Sequence, residues 1–145
     1  KGIQGPAGPT GAQGPGGAQG PAGAAGPSDG YVRRLPAPTT MAAGVDSPLV
    51  QLTLPINSAY VVTAATELGN TSGGTNFVGC TLLEGSLPIG AGLTELPGLN
   101  AFARTLTLTG ATSGGVITLS CNPDSAAQSR NNVITAIRVG TLHTQ

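Results

Sequence analysis

The chain has 145 residues, and its six basic and six acidic side chains give a formal net charge of zero at neutral pH. Because there is no basic stripe and no basic amphipathic helix, the composition argues against a nucleic-acid partner and against a membrane-surface helix. The longest apolar runs fall far short of the roughly 18 residues that a membrane span requires, so we expect no span in this chain.

The composition changes abruptly near residue 28. Residues 1–28 are almost entirely Gly, Pro, Ala and Gln, whereas the rest of the chain is rich in Thr, Val, Leu, Ile and Ser. The second part, about 115 residues, has the usual size of one globular domain. We therefore predict a stalk over residues 1–28, a neck that leads into the first strand over 29–47, and a head over 48–145.

Glycine occupies every third position of the stalk. The nine positions are Gly2, Gly5, Gly8, Gly11, Gly14, Gly17, Gly20, Gly23 and Gly26. In a collagen triple helix three polyproline-II strands wind about one axis, and only glycine fits where each strand passes that axis. A flexible Gly/Pro-rich linker has no reason to keep a strict period of three. The period predicts a homotrimeric collagen-like stalk, roughly 80 Å long at about 3 Å per residue.

The prolines of the stalk carry a second signal. Each of them directly follows a glycine of the period, and none takes the last position of a triplet, just before the glycine of the next one; they are Pro6, Pro9, Pro15, Pro21 and Pro27. The position before glycine is where animal collagens carry hydroxyproline, so this pattern is typical of collagens made without prolyl hydroxylation. Lys1 already stands in the triplet register, so we expect the repeat to belong to a longer chain. Nine triplets alone would form a weak triple helix, and we expect a trimeric head to hold the three chains together.

Beyond the neck, six runs have strand character, and LPIGAGL at 87–93 is a weaker seventh. The six runs lie at 48–54, 59–68, 75–84, 100–109, 115–121 and 132–142. Apolar and polar residues alternate in the best of them, Val, Ile and Thr favour strands, and no stretch has a helical period. The head is therefore predicted to be an antiparallel β-sandwich.

The head contains a faint internal repeat. TSGGTNFVGC (71–80) and TSGGVITLSC (112–121) share a Gly-Gly turn and the same distance to a cysteine. Both predict a hairpin, although chance similarity of two Gly-rich turns is an open alternative. Cys80 and Cys121 have the inward parity of their strands, so we expect one buried disulfide within the chain, with free thiols or inter-chain bridges as rival readings. A disulfide would indicate an oxidising or extracellular setting.

The last strand is apolar on both of its faces, with Val133 and Ile137 on one parity and Ile134 and Ala136 on the other. One face must meet the core, and neighbouring subunits around a threefold axis could cover the second; a central strand covered within its own subunit is an equal alternative. An arginine that shares the parity of apolar residues is expected to be partly buried and paired, at the same interface. The residues we assign to the trimer interface are Ile134, Ala136, Leu142 and Arg104.

The stalk sequence GPAGPTGAQGPGGAQGPAGAAGPS and a β-rich head ending NVITAIRVGTLHTQ resemble bacterial collagen-like surface proteins and phage fibres of similar build. In these proteins a short trimeric head, often a jelly roll similar to the tumour-necrosis-factor and complement type, ends a Gly-X-Y stalk. The resemblance implies a homotrimeric, jelly-roll-like head displayed outside the cell, on a bacterial cell or spore surface or on a virion.

No catalytic set is evident, and we expect neither enzymatic activity nor a cofactor. His143 has no local nucleophile partner, and Asp46 and Asp124 belong to no acidic cluster that would bind a metal. Asn70-Thr71-Ser72 matches a glycosylation sequon, which matters only in a eukaryotic secretory host.

The predicted function is structural and adhesive: the head nucleates and caps the triple helix and binds a cell-surface receptor or glycan through its loops. Besides residues 85–99, the loop residues assigned to the ligand are Thr71, Ser72, Gly73, Thr112, Ser113 and Gly114. The alternatives are a phage tail or virion fibre with a receptor-binding head, and a structural trimerisation cap without a ligand.

Overall fold

The computed structural model describes residues 1–11, 14, 16, 20, 29–98 and 102–140. Residues 1–11 are exposed and belong to no strand or helix, and the described residues from Gly30 onward form an all-β structure without a helix. The strands are β1 (Gly30–Leu35), β2 (Thr39–Met41), β3 (Ser47–Leu54), β4 (Ala59–Asn70), β5 (Asn76–Glu84), β6 (Leu87–Leu96), β7 (Phe102–Thr112), β8 (Gly115–Pro123) and β9 (Ala127–Val139).

Burial alternates along the strands with the period of two that a pleated strand imposes. In β4, Val62 and Ala64 are fully buried, and in β5 the same is true of Val78 and Leu82, with Cys80 at 1% exposure between them. The side chains between these positions point to the other face and remain partly or largely exposed. Alternating apolar residues in the sequence therefore mark the core face of each strand.

The strands form two antiparallel sheets that pack face to face. One sheet has the order β1-β9-β4-β7, with β2 also paired to β9, and the other has the order β3-β8-β5-β6. From β3 onward, consecutive strands lie in opposite sheets except for the pair β5 and β6. The head is thus an antiparallel β-sandwich, as predicted.

The two ends of the sandwich carry different connections between the strands. Gly30, where the chain enters β1, pairs with Ile137 near the end of β9, and we call this end proximal. The proximal connections are residues 55–58, 85–86 and 113–114. At the opposite end, which we call distal, lie residues 42–46, 71–75 and 124–126 and the connection after Leu96. The chain therefore enters the head at the proximal end, and the distal end lies at the far end of the strands.

The core between the sheets is mostly aliphatic. The rings of Tyr31 and Tyr60 pack edge to face with their centroids 5.7 Å apart, and Tyr60 is fully buried. A small polar network is also buried, in which the Thr66 hydroxyl donates to Oδ1 of Asn132 at 2.6 Å and Nδ2 of Asn132 donates to the Ser129 hydroxyl at 3.3 Å. Buried polar groups are normally satisfied in this way.

Strands β6 and β7 approach each other closely at one edge of the sandwich. A Cβ on Gly90 would stand 2.5 Å from the carbonyl oxygen of Thr109, and a Cβ on Gly110 would stand 2.6 Å from that of Ile89. Only glycine permits such contact between backbones, which explains the GAG sequence in an otherwise apolar strand. These glycines close one side of the sandwich.

One disulfide joins the chain to itself. Cys80 on β5 and Cys121 on β8 lie directly opposite each other in the strand register, with their Cα atoms 4.0 Å apart, and both are 1% exposed. No free cysteine is present in the described residues. The expected buried disulfide within one chain is confirmed.

Where the structure describes them, all seven predicted runs correspond to strands, but the prediction of two hairpins is wrong. Both TSGG segments connect strands of different sheets, β4 to β5 and β7 to β8, so neither forms a hairpin. The segment 29–47, predicted as a neck that leads into the first strand, contains β1 and β2, and nine of its nineteen residues pair with β9. It is therefore part of the sandwich.

Candidate functional site

The junction between stalk and head is fixed at the proximal end by two contacts of one residue pair. The backbone N–H of Arg138 donates to the carbonyl oxygen of Asp29 at 3.0 Å, and its guanidinium lies 3.3 Å from Oδ2 of Asp29. Both side chains are substantially exposed, so the ion pair contributes little energy, and the backbone bond does more to set the position. Asp29, where the chain enters the head, is thus held next to β9.

The five-stranded sheet exposes a broad face of small and apolar side chains, which we call the outer face. It consists of three rows across β1, β9, β4 and β7: Gly30, Ile137, Val61, Ala111; Val32, Thr135, Thr63, Thr109; and Arg34, Val133, Ala65, Thr107. Ile137 is 60% exposed, Val32 56% and Val61 42%. Arg34, at one corner, is the only charged residue in the twelve positions. A contiguous apolar surface of this kind commonly marks an interaction site.

Charge reappears at the distal border of the outer face. The Glu67 carboxylate accepts hydrogen bonds from Nδ2 of Asn131 at 2.9 Å and from Nε of Arg130 at 2.8 Å. These two bonds, led by that from Asn131, lower the pKa of the Glu67 carboxyl below its ordinary value, with a further contribution from the Arg130 charge. Asn131 has a φ of 51° at a bulge of β9, and this left-handed conformation suits asparagine.

The residues predicted for the interface lie elsewhere. Ile134 is 0% and Ala136 1% exposed, because both point into the core of their own subunit, so assigning them to a contact between subunits is wrong. Within the single chain Arg104 is exposed and makes no ion pair with another described residue, and its place at a subunit interface stays a prediction. Leu142 lies outside the described residues. The exposed parity of β9 is instead that of Val133 and Ile137.

The residues predicted to bind a ligand are divided between the two ends of the sandwich. Thr71, Ser72 and Gly73 lie in a distal connection, whereas Thr112, Ser113 and Gly114 lie at the proximal end. A joint surface formed by both TSGG loops is therefore excluded. Thr112 and Gly114 are also buried, which leaves Ser113 as the exposed residue of that set. The stretch 85–99 is mainly a strand, since β6 spans Leu87–Leu96.

Two buried asparagines hold the distal connections together, and nothing in the sequence pattern predicts their burial. Asn70 is 2% exposed; its Nδ2 donates to the carbonyl oxygens of Gly74 at 2.6 Å and Pro97 at 2.9 Å. Asn76 is fully buried and exchanges two hydrogen bonds with the backbone of Ser125, at 2.8 and 3.0 Å. Since the Asn70 amide is buried and bonded, the sequon Asn70-Thr71-Ser72 is closed to glycosylation in the folded head.

Further observations concern metal ligands, membrane-spanning helices and similarity to known proteins. The described residues contain no group of three or more His, Cys, Asp or Glu side chains that could hold a metal ion, and His143 lies outside them. In the same part of the chain, no helix has the length and apolar character needed to cross a membrane. No protein-family model matches the chain, and no curated protein matches it either. The candidate sites that the described residues offer are two surfaces: the outer face and the distal connections.

Proposed function

We propose that the chain is one subunit of a homotrimeric, collagen-like surface protein whose head nucleates and caps a triple helix. The glycine period carries this proposal. Around Gly2, Gly5, Gly8 and Gly11 a Cβ would meet nothing within 4 Å, so no contact within the chain requires glycine at these positions. Strict glycine at every third position is explained when two further chains stand against the first.

The strand order supports the same assignment of the head. A five-stranded sheet, ordered β1-β9-β4-β7 with β2 also on β9, and a four-stranded sheet, ordered β3-β8-β5-β6, fit the arrangement of a jelly roll, in which the chain repeatedly crosses between sheets. The resemblance to collagen-like proteins with jelly-roll heads rests on the stalk and on this order together.

The outer face is our candidate for the surface that joins the subunits. Three chains that leave a triple helix do so side by side, so the residues that directly follow the stalk must lie close to the shared axis. Gly30 both follows the stalk and begins the first row of the outer face, next to Ile137. The occupant of this face is therefore a second copy of the chain, and burial of Val61 and Ile137 against it would favour association.

An experiment with two matched pairs of substitutions tests this proposal. Val61 and Ile137 are opposite each other on the outer face, and Thr53 and Val116 are opposite each other on the other sheet. Val116 is 43% exposed, nearly the same as Val61. In sedimentation equilibrium, the unaltered protein should have three times the chain mass of 14.1 kDa. V61K/I137K should be monomeric and lose the collagen circular-dichroism signal, whereas T53K/V116K should remain trimeric.

Two results would refute it. A monomer at micromolar concentration for the unaltered protein would remove the trimer, and a trimeric V61K/I137K variant would place the interface elsewhere. The disulfide agrees with an extracellular or surface location, since such bonds form and persist in oxidising compartments.

We assign adhesion to the distal connections, which would contact the ligand. Thr71, Gly73 and Thr75 are exposed there, while Asn70 and Asn76 hold the backbone in one arrangement, which lowers the entropy lost on binding. Three copies on one axis could raise the apparent affinity of a weak site by about 10²–10⁴. Labelled trimers carrying G73K/T75K should bind target cells less than unaltered trimers. If unaltered trimers bind no cells, the ligand-free cap is the better description.

A further inference from the structure

A shallow groove of about 570 Å³ crosses the face of the four-stranded sheet that points away from the core. It lies over β8, β5 and β6, on the sheet opposite to the outer face. It would therefore remain open to solvent in the proposed trimer, yet it exists in one chain and does not depend on trimer formation. Its lining residues include Asp46, Asn122, Ser120, Thr81, Gly79 and Leu93.

Gly79 lines the groove on β5, between Asn122 of β8 and Leu93 of β6, and the fold itself does not require glycine there. A Cβ on Gly79 would meet only the carbonyl oxygen of Asn122 and Cδ1 of Leu93, both at 3.9 Å, which is ordinary contact. This differs from Gly90 and Gly110, where a Cβ would overlap a neighbouring backbone. A larger residue at position 79 would fit the sandwich but would fill the groove.

The floor also holds a hydroxyl group without a partner. Ser120 is only 9% exposed, and it lines the groove from β8. Among the side-chain hydrogen bonds of the described residues none involves Ser120, and none involves Thr81 beside it on β5. Because no described group bonds to the Ser120 hydroxyl, it is available to a molecule in the groove.

The two walls of the groove differ in chemistry. On one side, Nδ2 of Asn122 donates to Oδ1 of Asp46 at 3.1 Å, which orients the carboxylate and leaves Oδ2 of Asp46 and the side-chain oxygen Oδ1 of Asn122 to accept. On the other side Leu93 is 69% exposed and presents an apolar surface. No basic residue lines the groove.

We propose that this groove binds a neutral saccharide. A sugar ring has apolar C–H faces and a rim of hydroxyl groups, which match Leu93 on one wall and the acceptors of Asp46 and Asn122 on the other. The hydroxyls of Ser120 and Thr81 can both donate and accept. An anionic sugar would meet the Asp46 carboxylate without a compensating cation, and the single carboxylate is too few ligands for a bound metal ion.

The test uses the trimeric full chain and amide chemical shifts in heteronuclear NMR spectra. The probes are the methyl glycosides of glucose, galactose, mannose and N-acetylglucosamine, with glucuronate as the charged counterpart. At least one neutral glycoside should produce saturable shifts at the amides of Gly79, Thr81 and Asn122, and glucuronate should not. D46N should weaken that binding at least about tenfold, as expected for the loss of a charge-assisted hydrogen bond.

Two further variants make the result decisive. G79V should abolish the shifts while the rest of the spectrum, and hence the fold, is unchanged. E95Q removes an exposed carboxylate from the same sheet outside the groove, so it should leave the affinity unaltered. The proposal is overturned if no neutral glycoside shifts these amides, if glucuronate binds as tightly, or if D46N weakens binding no more than E95Q.

Discussion

Cys80 and Cys121 occupy the same position in the two TSGG segments, 41 residues apart, and they face each other across β5 and β8. The strands that precede the two segments, β4 and β7, also pair antiparallel, in the other sheet. The two halves of the repeat are therefore related by an approximate twofold rotation, and the disulfide lies close to its axis. An antiparallel relation also sends the two TSGG loops to opposite ends of the sandwich.

Removal of the disulfide should destabilise the head. Closing a loop of 41 residues restricts the unfolded chain, and in the chain-entropy model this stabilises the folded state by about 3–4 kcal/mol. C80A/C121A should lower the free energy of unfolding by about that amount in guanidinium titrations. Reducing agent should destabilise the unaltered protein and leave the variant unaffected. Denatured, non-reduced protein should run as single chains, and a ladder of linked chains would contradict the assignment.

The two TSGG loops, alike in sequence, should respond differently to the same substitution. Gly114 has a φ of 107°, and a Cβ there would overlap the carbonyl oxygen of Pro55. G114A should therefore cost more than about 2 kcal/mol of stability. Gly73, at the equivalent position of the first loop, has open space around it, so G73A should be nearly neutral. Equal losses in thermal or denaturant unfolding would show that the strain at Gly114 is unimportant.

The sequence predicted local structure better than it predicted connections. Alternation in Val78, Cys80 and Leu82 was sufficient to find both the strand and its buried face, because a period of two is a local property. The destination of the strand after a turn is not local. Residues 71–74 and 112–115 have typical hairpin composition, yet each crosses to the other sheet, and burial of Gly114 depends on Pro55, far away in the chain.

The parity of β9 was undetermined for a similar reason. Ile134 and Ala136 on one face and Val133 and Ile137 on the other are all apolar, so the pattern carries no signal for which face meets the core. The pairing with β4 decides it, since Ile134 lies opposite Ala64, which is buried. The groove over Gly79 was equally inaccessible to sequence reasoning, because its residues come from three strands and a loop.

The Glu67 cluster should make stability depend on pH. The folded-state pKa of Glu67 is lowered from its ordinary value of 4.5, so its contribution is present above that value and is lost as the pH falls through the folded-state pKa. E67Q should therefore lower the unfolding midpoint at pH 7, and the difference from the unaltered protein should shrink in acid. E95Q, at an exposed carboxylate, serves as the control and should follow the unaltered protein throughout. A constant difference at all pH values would contradict this assignment.

Asn70 should be essential to the order of the distal connections. Its Nδ2 donates to two carbonyl oxygens, and aspartate, which has the same shape, would place a carboxylate oxygen against them instead. N70D should destabilise the head by about 2–3 kcal/mol, since a buried hydrogen-bonding group would lose its partners. N57D, at an exposed asparagine in a proximal connection, should change stability little. Hydrogen exchange should show loss of protection around residues 71–75 in N70D alone.

Two glycine substitutions in the stalk should differ in effect only if three chains form a triple helix. Gly11 belongs to the period of three, whereas Gly16 is the additional glycine of the triplet Gly14-Pro15-Gly16. In one chain a Cβ at either position meets nothing within 4 Å, so substitutions at the two sites should be equivalent in a monomer. In a triple helix Gly11 faces the crowded axis and Gly16 faces outward. G11A should therefore lower the melting temperature of the collagen circular-dichroism signal, while G16A should preserve or raise it because alanine restricts the unfolded chain. The melting of the β-sandwich, followed separately, should be the same in both variants. Equal melting of the stalk signal in G11A and G16A would mean that the glycine period does not mark a triple-helix axis.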